Sequence, residues 1–158
     1  MATPIGHTLV GLALARRLGV RSPLGLAAAV VGASLPDVDV IPGLVLRDPW
    51  RFHRKGTHKS GFTMTAGMLA GLTGIVSAGN AEGERDLIRD AFTGAAITTS
   101  HLLLDRTMIP PYFNTKPGTP LWKFVRNGIL NCTIDTVVYG YIAWRLWPRE
   151  DDEAAAPI

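Results

Sequence analysis

His53 and His58 stand five residues apart in the stretch HRKGTH, among Arg51, Arg54, Lys55 and Lys59. On a helix that spacing turns one ring roughly 140° from the other, so the two act together only if the chain bends between them. Gly56 lies there and permits the bend. A second pair, His101 and Asp105, is separated by four residues. On a helix these side chains lie about 40° apart and share a face, the logic also seen in H-E-x-x-H metal sites. His7 falls on a helical face with Val10, Gly11 and Leu14, and points inward when that helix packs. Asp37 and Asp39 alternate in PDVD, where a loop can bring both carboxylates to one ion.

The 13 acidic residues divide into two groups. Asp48, the 82–90 cluster of Glu82, Glu84, Asp86 and Asp90, and the tail's Glu150, Asp151, Asp152 and Glu153 lie in polar surroundings. Asp37, Asp39, Asp105 and Asp135 instead lie in or beside apolar runs. A buried carboxylate is costly unless it is paired or bound to a metal, so these residues need partners. Each feature has a plain structural alternative: a hydrogen-bonded core histidine, a helix-surface pair, a turn. All four histidines and three of these aspartates nevertheless fall in short segments suited to convergence. That joint occurrence favours a metal site over a structural polar network. The ligand count exceeds what one tetrahedral zinc uses and suits a two-metal centre, some members serving in an outer shell or in catalysis.

The elements that would position these groups read as helices. Thr3-Pro4 starts the first, which runs to a stop at Gly19, and Ser22-Pro23 starts a second that ends against Pro36. Residues 36–43 read as a turn or extended loop, and 47–60 as a basic loop. Thr57 is placed to cap the helix that follows. Residues 61–79 carry no charge and approach the roughly 20 residues that span a bilayer, with Gly67 and Gly71 in GxxxG spacing. A buried central helix is the alternative. Another helix covers LIRDAFTGAAITTSHLLLD, a Pro- and Gly-rich connection follows over 107–120, and the last helix covers about 127–147. On it Asn127, Asn131 and Asp135 form a polar stripe that either supports the site or faces water. Its end places Trp144 and Trp147 beside Arg145 and Arg149, as an interfacial belt would.

The expected fold class is all-α: a compact bundle of about five mostly apolar helices, membrane-embedded, forming one domain over 1–148 with an acidic, disordered tail over 149–158. Hydrophobic residues reach 47% while charged residues are 18%, and the mean hydropathy is +0.18. The net charge of +3 is mild and its basic residues are dispersed, so no specific nucleic-acid partner is expected. A secretory signal peptide is not expected, because Arg16 and Arg17 follow the first apolar stretch rather than precede it. Cys132 alone makes no intramolecular disulfide. No G-x-S-x-G elbow, P-loop or dinucleotide fingerprint is present. Each loop carries Arg or Lys, over 16–21, 47–59, 85–89 and 106–126, so charge does not indicate an orientation in the membrane.

As a set, His7-Thr8, the Leu35-Pro36-Asp37-Val38-Asp39 loop, His53-Arg54-Lys55-Gly56-Thr57-His58 and the Ser100-His101 to Asp105 helix resemble the YdjM-like family. These are membrane-bound, predicted metal-dependent hydrolases. The resemblance covers residues 1 to about 125 in order. Val40 stands where the family often has a polar residue, and Lys55 precedes the glycine that usually follows His-Arg directly. The family is also distantly similar to zinc-dependent phospholipase C and the fungal single-strand nucleases, all-α enzymes that cleave phosphoesters. The resemblance therefore implies phosphoester chemistry.

The resulting expectation is a membrane-associated, metal-dependent hydrolase acting on a phosphoester or lipid-like substrate, in contact with membrane lipids. His7, Asp37, Asp39, His53, His58, His101 and Asp105 hold one or two divalent ions, zinc foremost, with His53 alternatively in an outer shell. Asp37 or Asp39 orients or deprotonates the attacking water. Arg54, Lys55 and Lys59 meet the anionic substrate, unless they are ordinary loop charges or lipid contacts. Thr57, Asn131 and Asp135 support the ligands from behind. The rivals are a non-catalytic membrane protein using the same residues structurally, and a soluble protein with the same site.

Overall fold

A computed structural model of the chain describes residues 4–39, 41–42, 56–73, 86–106 and 120–149, without the side chains of Leu121, Phe124, Gly128 and Asn131. Among the described residues there are five α-helices, one 3-10 helix and no strand. Helix α1 covers Pro4–Arg17 and α2 covers Pro23–Ser34. A 3-10 helix follows at Leu35–Asp39, then α3 over Ser60–Leu72, α4 over Leu87–Arg106 and α5 over Leu121–Leu146.

The helix starts follow local chemistry. Ser22 accepts a hydrogen bond from Gly25 N at 3.0 Å, with Pro23 at the first helical position. Asp86 Oδ1 accepts from the amides of Ile88 at 3.0 Å and Arg89 at 2.9 Å, satisfying two orphan donors of α4. Between α1 and α2 the chain reverses at Gly19, whose φ of +89° favours glycine. Arg89 Nη2 donates to Leu18 O at 3.0 Å and ties the start of α4 to that turn.

Small residues set the packing. Gly11 lies so close to Ala33 that a side chain on it would collide with the alanine methyl, bringing α1 onto α2. Ala15, Val20, Ala29, Ala33 and Ile97 close the core where α2 meets α4. Helices α3 and α4 touch backbone to backbone: a Cβ on Gly67 would strike Gly94 O, one on Gly71 would strike Asp90 O, and one on Gly94 would strike Gly67 O. Such approach is typical of helix pairs in membranes. Helix α1 lies along α5, with Gly6 under the Tyr139 ring and Val10, Leu104 and Tyr139 closing a second small core.

Residues 35–39 form a 3-10 turn, the first of the two readings of that segment, because α2 runs directly into it. Two expectations are corrected. Lys59, not Thr57, is the N-cap of α3, and it makes no side-chain capping bond. Asp90, placed above among solvated carboxylates, is buried at 5% exposure, since the close approach of α3 at Gly71 covers it. The uncharged run 61–79 is described as helix only to Leu72, and residues 74–79 lie outside the described residues. No described helix is long and apolar enough to cross a membrane.

Candidate metal centre

Four elements bring His7, Asp37, His58, His101 and Asp105 to one place. Helix α1 supplies His7, the 3-10 turn Asp37, the turn before α3 His58, and α4 both His101 and Asp105. His7 and His101 are almost fully buried, at 1% and 0% exposure. Their rings stack nearly parallel, with centroids 3.6 Å apart and planes at 13°.

His101 is held from behind. Its Nδ1 lies 2.8 Å from Ala33 O, one of the carbonyls left without an intrahelical partner where α2 ends. A carbonyl only accepts, so Nδ1 carries the proton and, in the neutral ring, Nε2 keeps its lone pair. That Nε2 lies 3.3 Å from His58 Nε2, 3.4 Å from Asp37 Oδ1 and 3.9 Å from Asp105 Oδ2. His58 Nε2 in turn lies 3.5 Å from both Asp37 Oδ1 and Asp105 Oδ2.

The opposite nitrogen of His58 has its own support. Nδ1 lies 3.4 Å from Asp39 Oδ2, and the Thr57 hydroxyl donates to that carboxylate oxygen at 2.6 Å. Asp39 therefore stands behind His58, on the far side of the ring from the convergent Nε2 atoms. His7 Nε2 approaches Asp105 Oδ1 at 3.5 Å, too long for a good hydrogen bond. Both His7 ring nitrogens and Asp37 Oδ1 are buried without a hydrogen-bond partner among the described residues. Buried polar atoms of this kind call for an ion, a water or strain to explain them.

The charges are strongly coupled. Burial disfavours a charge on His58, yet Asp105, Asp37 and Asp39 outweigh it and raise its pKa to about 9. Burial alone would raise the carboxyls of Asp37 and Asp105, but the facing histidines hold both well below the usual carboxylate range. Burial lowers the pKa of His7, more than Asp105 restores, and so favours the neutral ring with a free lone pair.

Two overlapping triplets have ligand atoms within 4.8 Å of one another: His7, His101 and Asp105, and Asp37, His58 and His101. His101 belongs to both. Asp39 is drawn to the rear of His58, and Lys59 is exposed beside it. Asp135 is buried at 3% exposure on α5, so it does not face water. His53, Arg54 and Lys55 lie outside the described residues, as does the side chain of Asn131. Sequence reasoning missed the stacking of His7 on His101 and the Ala33 carbonyl, because neither a ring contact nor a helix-end carbonyl leaves a residue-type signal.

Fold and site together define an all-α protein with a buried His/Asp cluster at ligand spacing. The chain belongs to the YdjM inner membrane protein family, whose family model matches residues 1–155. That membership places it at the membrane. No curated protein and no solved structure shows a match to it.

Proposed function

We propose that this membrane protein is a metal-dependent hydrolase that cleaves phosphoesters with a water activated at the His/Asp cluster. One observation carries the reading. Asp37 Oδ1, His58 Nε2 and His101 Nε2 stand 3.3–3.5 Å apart pairwise. Ligand atoms of a tetrahedral zinc at its usual bond lengths stand about 3.3–3.5 Å apart. Asp105 Oδ2 lies 3.5 Å from His58 Nε2 and 3.9 Å from His101 Nε2, and its Oδ1 lies 3.5 Å from His7 Nε2.

A divalent ion so held supplies Lewis acidity and a water of lowered pKa. The residues of the chain do the rest. Ala33 O and Asp39 fix the two imidazoles by their rear nitrogens, the outer-shell arrangement that orients metal-binding histidines. Asp37 is the most exposed carboxylate of the cluster, at 17% against 7% for Asp105 and 8% for Asp39. It is the group placed to accept the proton of an incoming water. Lys59, exposed beside His58, supplies a cation for an anionic substrate. Elemental analysis of detergent-purified protein, with assays on phosphodiester and phospholipid panels, tests the proposal. A protein without stoichiometric metal ends it. A metal-loaded protein inert on every substrate, whose site variants lose only thermal stability, supports the structural rival.

The pH dependence follows from His58. Below a pKa of about 9 its ring is protonated in the metal-free chain, and an ion must displace that proton. Metal affinity is therefore expected to rise about tenfold per pH unit from pH 6 towards 9, with one proton released per ion. Calorimetric titration in buffers of different ionisation enthalpy measures that proton. Without metal, the raised pKa of His58 contributes stability fully present below its unfolded value of 6.5, lost as pH rises through about 9. The depressed Asp37 and Asp105 contribute stability present above their unfolded value of 3.8, lost as pH falls below it. The shifts of His58, Asp37 and Asp105 thus favour folding most between about pH 4 and 6.5, while the lowered pKa of His7 works against folding as pH falls below 6.5.

Thr57→Val removes the hydroxyl that holds Asp39 and leaves every proposed ligand in place. A loss of roughly 10–100-fold in metal affinity is expected, as for other outer-shell partners. Competition with a chromogenic chelator reads it, and unchanged affinity would remove Thr57 and Asp39 from the support of His58.

A further inference from the structure

Helix α5 brings a tyrosine with an uncommitted hydroxyl to the side of the cluster. Tyr139 is 4% exposed, yet its phenol makes no hydrogen bond among the described residues. Buried tyrosines usually find a partner for that group. The ring lies on Gly6 and packs with Val10 and Leu104. It therefore sits beside the residues that immediately precede His7 and Asp105 in the chain. A side chain on Gly6 would collide with the ring, so glycine there is what admits it.

The direction of the phenol follows from the helices. Tyr139 meets Gly6 and Trp147 meets Arg16, so α1 and α5 run the same way. Helical Cα–Cβ bonds tilt toward the N-terminus, so Tyr139 leans along α5 toward the end of the bundle where α1 begins. Asp135, one turn earlier on the same face, is buried there at 3% exposure. Burial, then the charges of Asp135 and Asp105, push the pKa of the phenol up to about 12. It keeps its proton through the neutral range and remains a donor.

A donor is what a phosphoester would otherwise lack at this cluster. Its non-bridging oxygens only accept, the carboxylates around it only accept, and the convergent imidazole nitrogens turn lone pairs to an ion. Of the neighbouring hydroxyls, Thr57 is committed to Asp39 and Ser100 to Ile97 O. We infer that the Tyr139 phenol donates a hydrogen bond to a phosphoryl oxygen of a substrate held at the His/Asp cluster. This role rests on the hydrolase reading, because Asp105 and Asp135 repel a phosphate unless a divalent ion offsets their charge.

Tyr139→Phe tests it, because the substitution removes the hydroxyl and keeps the ring on Gly6. Detergent-purified, zinc-loaded protein is titrated with inorganic phosphate. The variant is expected to bind phosphate about 10–100-fold more weakly, with metal content and thermal midpoint unchanged. Full-length protein carrying 3-fluorotyrosine gives a direct reading by fluorine resonance. The signal missing from Tyr139→Phe is expected to shift when phosphate is added to the zinc-loaded wild type. Equal phosphate affinity in the two proteins, or no shift of that signal, overturns the inference and leaves the metal-dependent reading standing. Loss of zinc or a lowered midpoint in Tyr139→Phe would reveal a structural hydroxyl and also overturn it. A wild-type protein that takes up no zinc ends the hydrolase reading and this role together.

Discussion

Replacing His101 by alanine is expected to leave the purified protein without stoichiometric metal and to abolish any phosphoesterase activity. No other residue belongs to both ligand triplets among the described residues. Its Nε2 is aimed by the bond from Nδ1 to Ala33 O at 2.8 Å, so it needs no rearrangement to bind an ion. The loss should exceed by far the roughly 10–100-fold that an outer-shell substitution costs. His7→Ala, by contrast, breaks one triplet and leaves Asp37, His58 and His101 intact. Its protein is expected to retain an ion, with a lower metal count if the native centre holds two. Metal content per chain, measured beside the circular dichroism spectrum to show that each variant is folded, separates these outcomes. Full metal retention in His101→Ala would refute the proposed centre.

A larger structural effect is expected from Gly71→Val. A Cβ there would strike Asp90 O and approach Asp90 C at 2.5 Å and Ala91 Cα at 2.7 Å. All three atoms belong to the backbone of α4, so no side-chain rotation relieves the clash and the helices must separate. Gly67 and Gly94 then lose their contact as well. Overpacking of this kind costs about 1–3 kcal/mol, and a forced backbone shift places it at the upper end or beyond. Thermal unfolding in detergent should show it as a lowered midpoint. Metal affinity should fall with it, because α3 follows directly on His58 and α4 carries His101 and Asp105. Gly61→Ala is the control: nothing lies within 4 Å of the added carbon, and an alanine inside a helix should be neutral or stabilising by about 0.5–1 kcal/mol.

Part of the candidate site was legible in the sequence. The pairing of His101 with Asp105 depends only on helical pitch. Ser22-Pro23 starts α2 because a hydroxyl cap and a fixed φ act within one turn. The carboxylates in apolar runs needed partners whatever the fold, and Asp37, Asp39 and Asp105 meet histidines. Asp135 is the instructive case on α5. Its burial follows from an apolar outward face, and only the packing of α1 against α5 decides which side of that helix is inside.

The sequence alone determined the residue types, the helical class and the directions that side chains share within one element. These depend on forces acting over a few residues: hydrogen bonds, capping and steric limits on φ. The tertiary structure alone decided that Asp39 stands behind His58, that His7 stacks on His101, that Ala33 O sets the tautomer of His101, and that Asp90 is covered. Each requires two elements brought together at a distance set to within an ångström or so. That distance is set by how closely Gly11, Gly67, Gly71 and Gly94 let backbones approach. A glycine in a sequence shows that close approach is possible, but its partner is chosen only when the whole bundle packs.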